Sequence, residues 1–511
     1  MRFNLAKLSV AAVLAVASAM PAMAGKAKDT LIWTAEHDVP TVDPYYAQVR
    51  AQIVLYHNVC DSLLDRDPKT LAVKPHLAKS WKWISPTAME FELREDVKFH
   101  NGKKFGAEDV VYTFNHVTAP GSGVIPIRNI SWIKNAEQLG PYKVRVHLKK
   151  PFPAAPEYLA GVTPILPKGH YDKAPPMPDG KRKDYGAVPL VCTGPYKVQK
   201  INPGKSVELV ANPDYFGGNR GKPSIKHILY RVIPDRTTQL AELLAGGVDW
   251  IQDIDKDKVD HIKKMGRFTV IQTPTLRVRF IRFETRGVKG KHPFMDVRVR
   301  RAVNHAINRR AMADALIGGG SEVIHAACHP SQFGCTQDVP KYDYDPAKAK
   351  KLLAEAGYPN GFTTDLWAFR ERSYSEALVG ELARVGIRVN LKFMQWRAVR
   401  PLMHDGTAYF LDNSWGSFGI NDVVALPGYF FAGEADDGAK DPEVVKQIQI
   451  GNTSVDPEVR KAAYRKALVR IAEEALWAPM FTYAKFYAFT KDLDFQAQTD
   501  DMSRFWLAKW K

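Results

Sequence analysis

Two hydrophobic periods alternate along the 511-residue chain, and that alternation restricts it to a mixed α/β architecture. Met89, Phe91 and Leu93 alternate with Glu90, Glu92 and Arg94, and Val144, Val146 and Leu148 with Lys143, Arg145 and His147. A period of two describes a half-buried strand. Elsewhere the period lengthens to that of a helix. After Asp296, the residues Val299, Ala302, Val303, Ala306 and Ile307 form one apolar stripe, with Arg298, Arg300, Arg301 and Asn304 off it. Asp345 and Pro346 supply an N-cap and first turn, Ala349, Leu352, Leu353 and Ala356 a core face, and Gly357 a stop. Gln239 to Ala245 reads as a short helix closed by Gly246-Gly247, ahead of the strand-like Asp249-Trp250-Ile251. There is no internal repeat and no low-complexity linker. A chain this long exceeds a single ordinary core and divides into roughly two to four domains.

The first residues read as a separate object. Arg2 and Lys7 precede the apolar run Leu8 to Ala19, and Ala22-Met23-Ala24 offers a small-x-small cleavage pattern. This is the pattern of a secretory signal peptide over 1–24, cut after Ala24, and the run is too short to span a bilayer with its flanks. Gly25 then follows, so no lipid-accepting cysteine begins the mature chain, which is expected to be exported, soluble and periplasmic. The formal net charge of +17 is spread along the sequence, with only short clusters such as Lys181-Arg182-Lys183. That distribution reads as solvated surface, with an anionic ligand as the alternative, and nucleic acid is not an expected partner.

Cys328 and Cys335 are close in sequence and form a good disulfide pair for an oxidising compartment; a metal site lacks a second cysteine pair of ligand spacing. Cys60 and Cys192 are far apart and read as buried thiols rather than a bridge. His325 and His329 are four apart, which suits either a metal pair on a helix face or a constrained loop, and the neighbouring Cys328 and Pro330 favour the loop. The chain contains no Gly-rich dinucleotide fingerprint, no phosphate loop, no His-Glu-x-x-His and no Gly-x-Ser-x-Gly. No catalytic residue, metal or cofactor is assigned.

Five stretches, in order, carry a resemblance. Ala78-Lys79-Ser80-Trp81 leads into Phe91 to Gly102; Phe105-Gly106-Ala107-Glu108-Asp109-Val110-Val111-Tyr112 follows; then come Thr193-Gly194-Pro195-Tyr196, Pro293 to Ala302, and Tyr344 to Gly357. Together the chain resembles the extracellular solute-binding proteins of family 5, the receptors of ABC importers for dipeptides, oligopeptides and nickel chelates. The resemblance implies a bilobal periplasmic binding protein-like α/β fold of type II, in the large three-domain subgroup, with an extra domain inserted in lobe I. Lobe I would comprise 25–64, 190–285 and 485–511, the inserted domain 65–189, and lobe II 286–484, with chain crossings near Arg286 and Lys485. It further implies a monomeric receptor that is not an enzyme, a small peptide or peptide-like ligand, and a membrane permease as partner. A metal chelate or other anionic solute is the alternative ligand. A secreted hydrolase or a chaperone-like holder of unfolded chains are the readings from other classes.

The resemblance also implies where ligand contacts fall. Arg370 and Arg372 are the candidates for a carboxylate anchor, for which a guanidinium fork is well shaped; a surface arginine paired with Glu371 is the competing reading. The stretch Trp415, Gly416, Ser417, Phe418, Asn421 and Asp422 aligns with a strand running along the ligand, its glycine admitting close backbone approach and its aromatics walling a pocket or simply filling core. Peptide receptors of the family carry an aspartate where this chain has Phe418, which points away from an ordinary free-amino peptide and toward a blocked, cyclic, opine-like or anionic one. Asp422, four residues on, is a possible substitute. Glu36, His37 and Asp38 follow the strand-like Leu31-Ile32-Trp33 and either border the cleft or form a solvated loop. Trp396 completes the set.

Overall fold

Two long antiparallel strands, Phe268–Phe283 and Trp477–Thr490, run side by side through the middle of the molecule. They form the spine of a ten-stranded sheet in the computed structural model, which describes residues 25–511 apart from the side chain of Phe418. The expected leader over 1–24 lies outside the described residues. On one flank of the spine stand Trp250–Gln252, Thr30–Ala35, His227–Val232, Ser206–Ala211 and Tyr196–Asn202; on the other stand Phe410–Trp415, Phe362–Ala368 and Ile387–Phe393. Each flank grips a different half of the spine. Tyr487 to Phe489 pair with Trp250–Gln252, whereas Val278 to Phe283 pair with Phe410–Trp415.

Between these halves the ladder breaks. Pro274 faces Ala484, and the next pair in register is Val278 with Thr482. Proline lacks an amide proton to donate and ends regular pairing there. Inside the break the ladder is replaced: the Thr275 hydroxyl, not its amide, donates to the Tyr483 carbonyl of the facing strand at 3.2 Å, and the Leu276 amide donates outside the pair to Thr499 at 2.9 Å. The sequence reading set the crossings near Arg286 and Lys485; the register break lies at Pro274–Val278 opposite Thr482–Ala484.

The buried core divides at the same place. One cluster joins Trp33, Tyr230, Trp250 and Tyr487 to Phe91 and Val144 of a separate four-stranded sheet, ordered Ala78–Ser85, Ala88–Leu93, Lys143–Leu148 and Ile133–Gly140, and to Phe105 beside it. The expected alternations at 89–93 and 143–148 are strands of this sheet. On the other side, Phe283, Phe294, Val303, Leu353 and Phe410 share a second core, and Phe280, Phe430, Tyr464 and Trp477 a third.

Helix Val297–Ala306 begins as the sequence indicates, with the Asp296 carboxylate accepting from the Arg298 amide. Arg300 and Asn304 lie off the apolar stripe yet are buried. Backbone carbonyls explain why. The Arg300 guanidinium donates to Phe294, Met295, Glu474 and Ala475, and the Asn304 amide to Arg300 and Trp477. Buried polar groups satisfied in this way cost little.

The cysteines need one correction. Cys328 and Cys335 are bridged as expected, but Cys60 and Cys192 are also bridged, not free thiols. Folding brings the end of helix Arg50–Val59 against the segment before Tyr196. Gly194 permits the approach: its amide donates to the Val59 carbonyl at 2.9 Å, and a Cβ there would stand 2.4 Å from that oxygen. Sequence separation hides such a contact.

Two outcomes follow. Thiol counting on unreduced, denatured protein should find no free cysteine. Removing the Cys60–Cys192 bridge should cost more stability than removing Cys328–Cys335, because their sequence separations are 132 and 7 and loop-closure entropy gives about 5 against about 2.5 kcal/mol. Separately, burial raises the Asp249 carboxyl to about 6, despite a bond accepted from the Ile32 amide. A raised folded value means stability present at low pH is lost as pH rises through it. Asp249→Asn should therefore gain on wild type between pH 4 and 7, by up to about 3 kcal/mol, measured by denaturant unfolding across that range.

Candidate ligand site between the two halves

The register break gathers charged side chains from both flanks. On the Thr30–Ala35 side, Lys485 Nζ lies 3.1 Å from Asp253 and 3.0 Å from Asp501, and Arg50 reaches Asp501 at 2.7 Å. Burial works against ionisation of Asp253, but Lys485, Arg236 and Arg370 outweigh it and hold the carboxyl below its usual range. Asp253, Asp501 and Ser417 also adopt left-handed backbone conformations, with φ of 57°, 62° and 53°. Non-glycine residues in that region carry strain, and such residues gather at binding sites.

On the opposite side, Arg279 is fully engaged. Its guanidinium pairs with Asp412, donates to the Tyr483 hydroxyl at 3.0 Å, and lies 3.6 Å from Glu371. Ser375 donates to Asp412 at 2.6 Å and Tyr483 to Glu371 at 3.1 Å. Burial opposes the Glu371 charge, yet Arg370 and Arg279 keep its carboxyl below the usual range. Arg370 thus acts on Asp253 from one half and Glu371 from the other. It is exposed, and among the described residues no carboxylate comes within 4.0 Å of it.

The remaining expected residues divide. Arg372 is spent on the helix surface, its Nε 2.8 Å from Glu376 and its guanidinium over Phe393. Gly416 lies beneath the Arg277 guanidinium, whose Nη2 would stand 3.0 Å from a Cβ at that position. Trp415 is half-buried; its indole donates to the Ala425 carbonyl at 2.8 Å and its ring packs on Tyr429. The Ser417 hydroxyl accepts from Gln332 at 3.0 Å. The expectation for the Phe418 side chain lies outside the described residues. Asp422 is buried, pairs with Arg460 at 2.7 Å and accepts from the Val424 amide, so its carboxylate is occupied by protein. Glu36 faces His37 at 3.7 Å, the His37 carbonyl accepts from Tyr230, and Asp38 accepts from the Gly204 amide at 2.7 Å. Trp396 packs on Phe369, with ring centres 4.7 Å apart.

Asn421 belongs to a contact that the sequence did not reveal. Its amide donates at 3.0 Å to Glu157, which also holds Arg66 at 2.6 Å. Nearby, Arg128 pairs with Asp436, donates to the Tyr429 carbonyl and lies 3.7 Å from the Tyr429 ring centre. Ile420, Val424 and Ala425 join the core cluster of the other half. These contacts tie the segment 420–436 to residues 128 and 157 across the mouth of the site.

A sequence model described as "Bacterial extracellular solute-binding proteins, family 5 Middle" matches residues 72–437. The chain belongs to this family. Family 5 members are substrate-binding components of ABC importers, receptors rather than catalysts. Heme-binding protein A of Haemophilus influenzae is 26% identical over 453 residues, covering 80% of this chain and 78% of that protein. The glutathione-binding protein GsiB of Salmonella paratyphi A is 26% identical over 501 residues, covering 94% of each. Among solved structures, the periplasmic binding protein DppA from Helicobacter pylori, in complex with the peptide STSA, superposes with a TM-score of 0.81 at 24% identity, covering 94% of this chain and 98% of that one. The likeness confirms the type II, bilobal family 5 fold. Among the described residues no helix is long and apolar enough to cross a membrane.

Residues that the sequence reading missed, Arg277 above all, had a signal. Arg277 and Arg279 alternate with Val278 and Phe280, a period of two that puts both guanidiniums on one face of a buried strand. Arg128→Ala should loosen the mouth by about 1 kcal/mol, the worth of one cation–π contact plus a partly exposed ion pair. Titration of the solute that co-purifies with the protein should show its affinity falling roughly five-fold; an unchanged affinity would mean that the contact carries no closing energy.

Proposed function

We propose that the chain captures a peptide or peptide-like solute between its two halves and hands it to the membrane permease of an ABC importer. The single observation that carries this reading is Arg370, an exposed guanidinium with no carboxylate within 4.0 Å among the described residues, whose charge acts on Asp253 of one half and Glu371 of the other. A carboxylate delivered there by a solute gains a charge-assisted partner and touches both lobes at once. A ligand of that kind favours the closed arrangement, because its contacts exist in full only there. Relatives named for glutathione and a fold neighbour holding the peptide STSA support a peptide-like solute. The lobe division expected from sequence, with an inserted domain at 65–189, belongs to the same reading. So do export with cleavage after Ala24, action as a monomer, and the absence of turnover and of nucleic acid as a partner.

Arg370→Ala should weaken a carboxylate-bearing solute by about 1.5–3 kcal/mol, the range for a charge-assisted hydrogen bond, whereas Arg372→Ala should change affinity little. Tryptophan fluorescence titration of the three proteins decides it. Equal losses in both variants, or none in Arg370→Ala, would remove Arg370 as the anchor.

A further inference from the structure

Arg277 sits inside the register break, half-buried, on the strand that both halves share. The protein has made room for it. Gly416 at the end of the neighbouring strand leaves the space in which the guanidinium lies, and Ser414 accepts from Nη1 at 3.3 Å. Among the described residues no carboxylate stands within 4.0 Å of Arg277, although Arg279, two residues along the same face, is held by Asp412, Glu371 and Tyr483. Nearby cations make matters worse: burial first, then the charge of Arg370, push Arg277 down to about 10, and Arg50 adds to the effect. Asp501 attracts it from a distance but is already paired with Arg50 and Lys485. A half-buried guanidinium that feels the charge of a second unpaired one is unfavourable until an anion arrives.

We infer that Arg277 and Arg370 together form an anion receptor at the hinge, and that the solute is a net-anionic, peptide-like molecule whose acid group lies between the two guanidiniums. This rests on the peptide-receptor reading above and narrows it to acidic members. Arg370 comes from the far half and Arg277 from the shared strand, so an acid group bridging them would draw the mobile side onto the spine. Arg277 would then set specificity, while Arg370 anchors.

The test is a fluorescence titration of the full chain with probes of graded charge: N-acetyl-Ala-Glu, N-acetyl-Ala-Ala, the amide N-acetyl-Ala-Ala-NH2, and Ala-Lys. Wild type, Arg277→Gln and Arg277→Lys are compared, each with its thermal midpoint. Wild type should prefer N-acetyl-Ala-Glu over the amide by roughly ten-fold or more, Arg277→Gln should erase that preference while leaving the amide within about two-fold, and Arg277→Lys should keep part of it. The unliganded midpoint of Arg277→Gln should equal or exceed that of wild type, since an unpaired half-buried charge has been removed. Tight binding of the amide or of Ala-Lys to wild type would overturn the inference and leave the peptide receptor standing. A uniform loss across all probes with a lowered midpoint would make Arg277 merely structural, and overturn it too. Failure of every probe to bind wild type would count against the peptide-receptor reading itself.

Discussion

The pairing of Phe268–Phe283 with Trp477–Thr490 is the contact on which the rest of the molecule depends. These strands are the covalent link between the halves, whose cores meet elsewhere, among the described residues, only where Ile420, Val424 and Ala425 of the segment 420–436 pack into the first cluster. Continuous pairing along their full length would weld the halves into one stiff sheet. The interruption at Pro274 changes that. It replaces ladder bonds with a short stretch whose bonds run to Thr499 and Tyr483, and it leaves each half attached to its own flank. Rigid halves joined by a few altered residues are the arrangement that permits hinge motion.

The same interruption explains where the chemistry lies. A regular sheet buries alternate side chains on both faces, whereas a break opens space for long polar ones. Lys485, Asp253 and Asp501 close one side of that space with mutual pairing; Arg279, Asp412 and Glu371 close the other. Arg370 and Arg277 are left over, and they are the groups with something to offer a ligand. At the mouth, Glu157 with Asn421 and Arg128 with Asp436 fasten the far edges. Hinge, charged interior and rim therefore form one mechanical system, in which a solute completes the interior as the rim closes.

Much of the fold was legible because it is local. Asp345 and Pro346 do start the helix Pro346–Glu355, the alternations at 89–93 and 143–148 are strands, and the glycines after Ala245 end a helix. The family motifs added the order of the parts. What could not be read was long-range. Cys60 and Cys192 meet only after the segment before Tyr196 packs against the end of helix Arg50–Val59, and Asp422 proves occupied only once Arg460 is seen beside it. Arg372 looked equivalent to Arg370 in sequence, yet a helical neighbour four residues on claims it. Arg277 was visible as an arginine in an apolar strand, but its lack of a partner is a fact of three dimensions.

Small-angle X-ray scattering of the chain stripped of its co-purifying solute, and again after that solute is restored, addresses the central claim most directly. Two halves swinging on the spine predict a measurable fall in the radius of gyration and a narrower distance distribution when the solute returns. Superimposable profiles, with binding shown in the same samples, would contradict closure about the hinge.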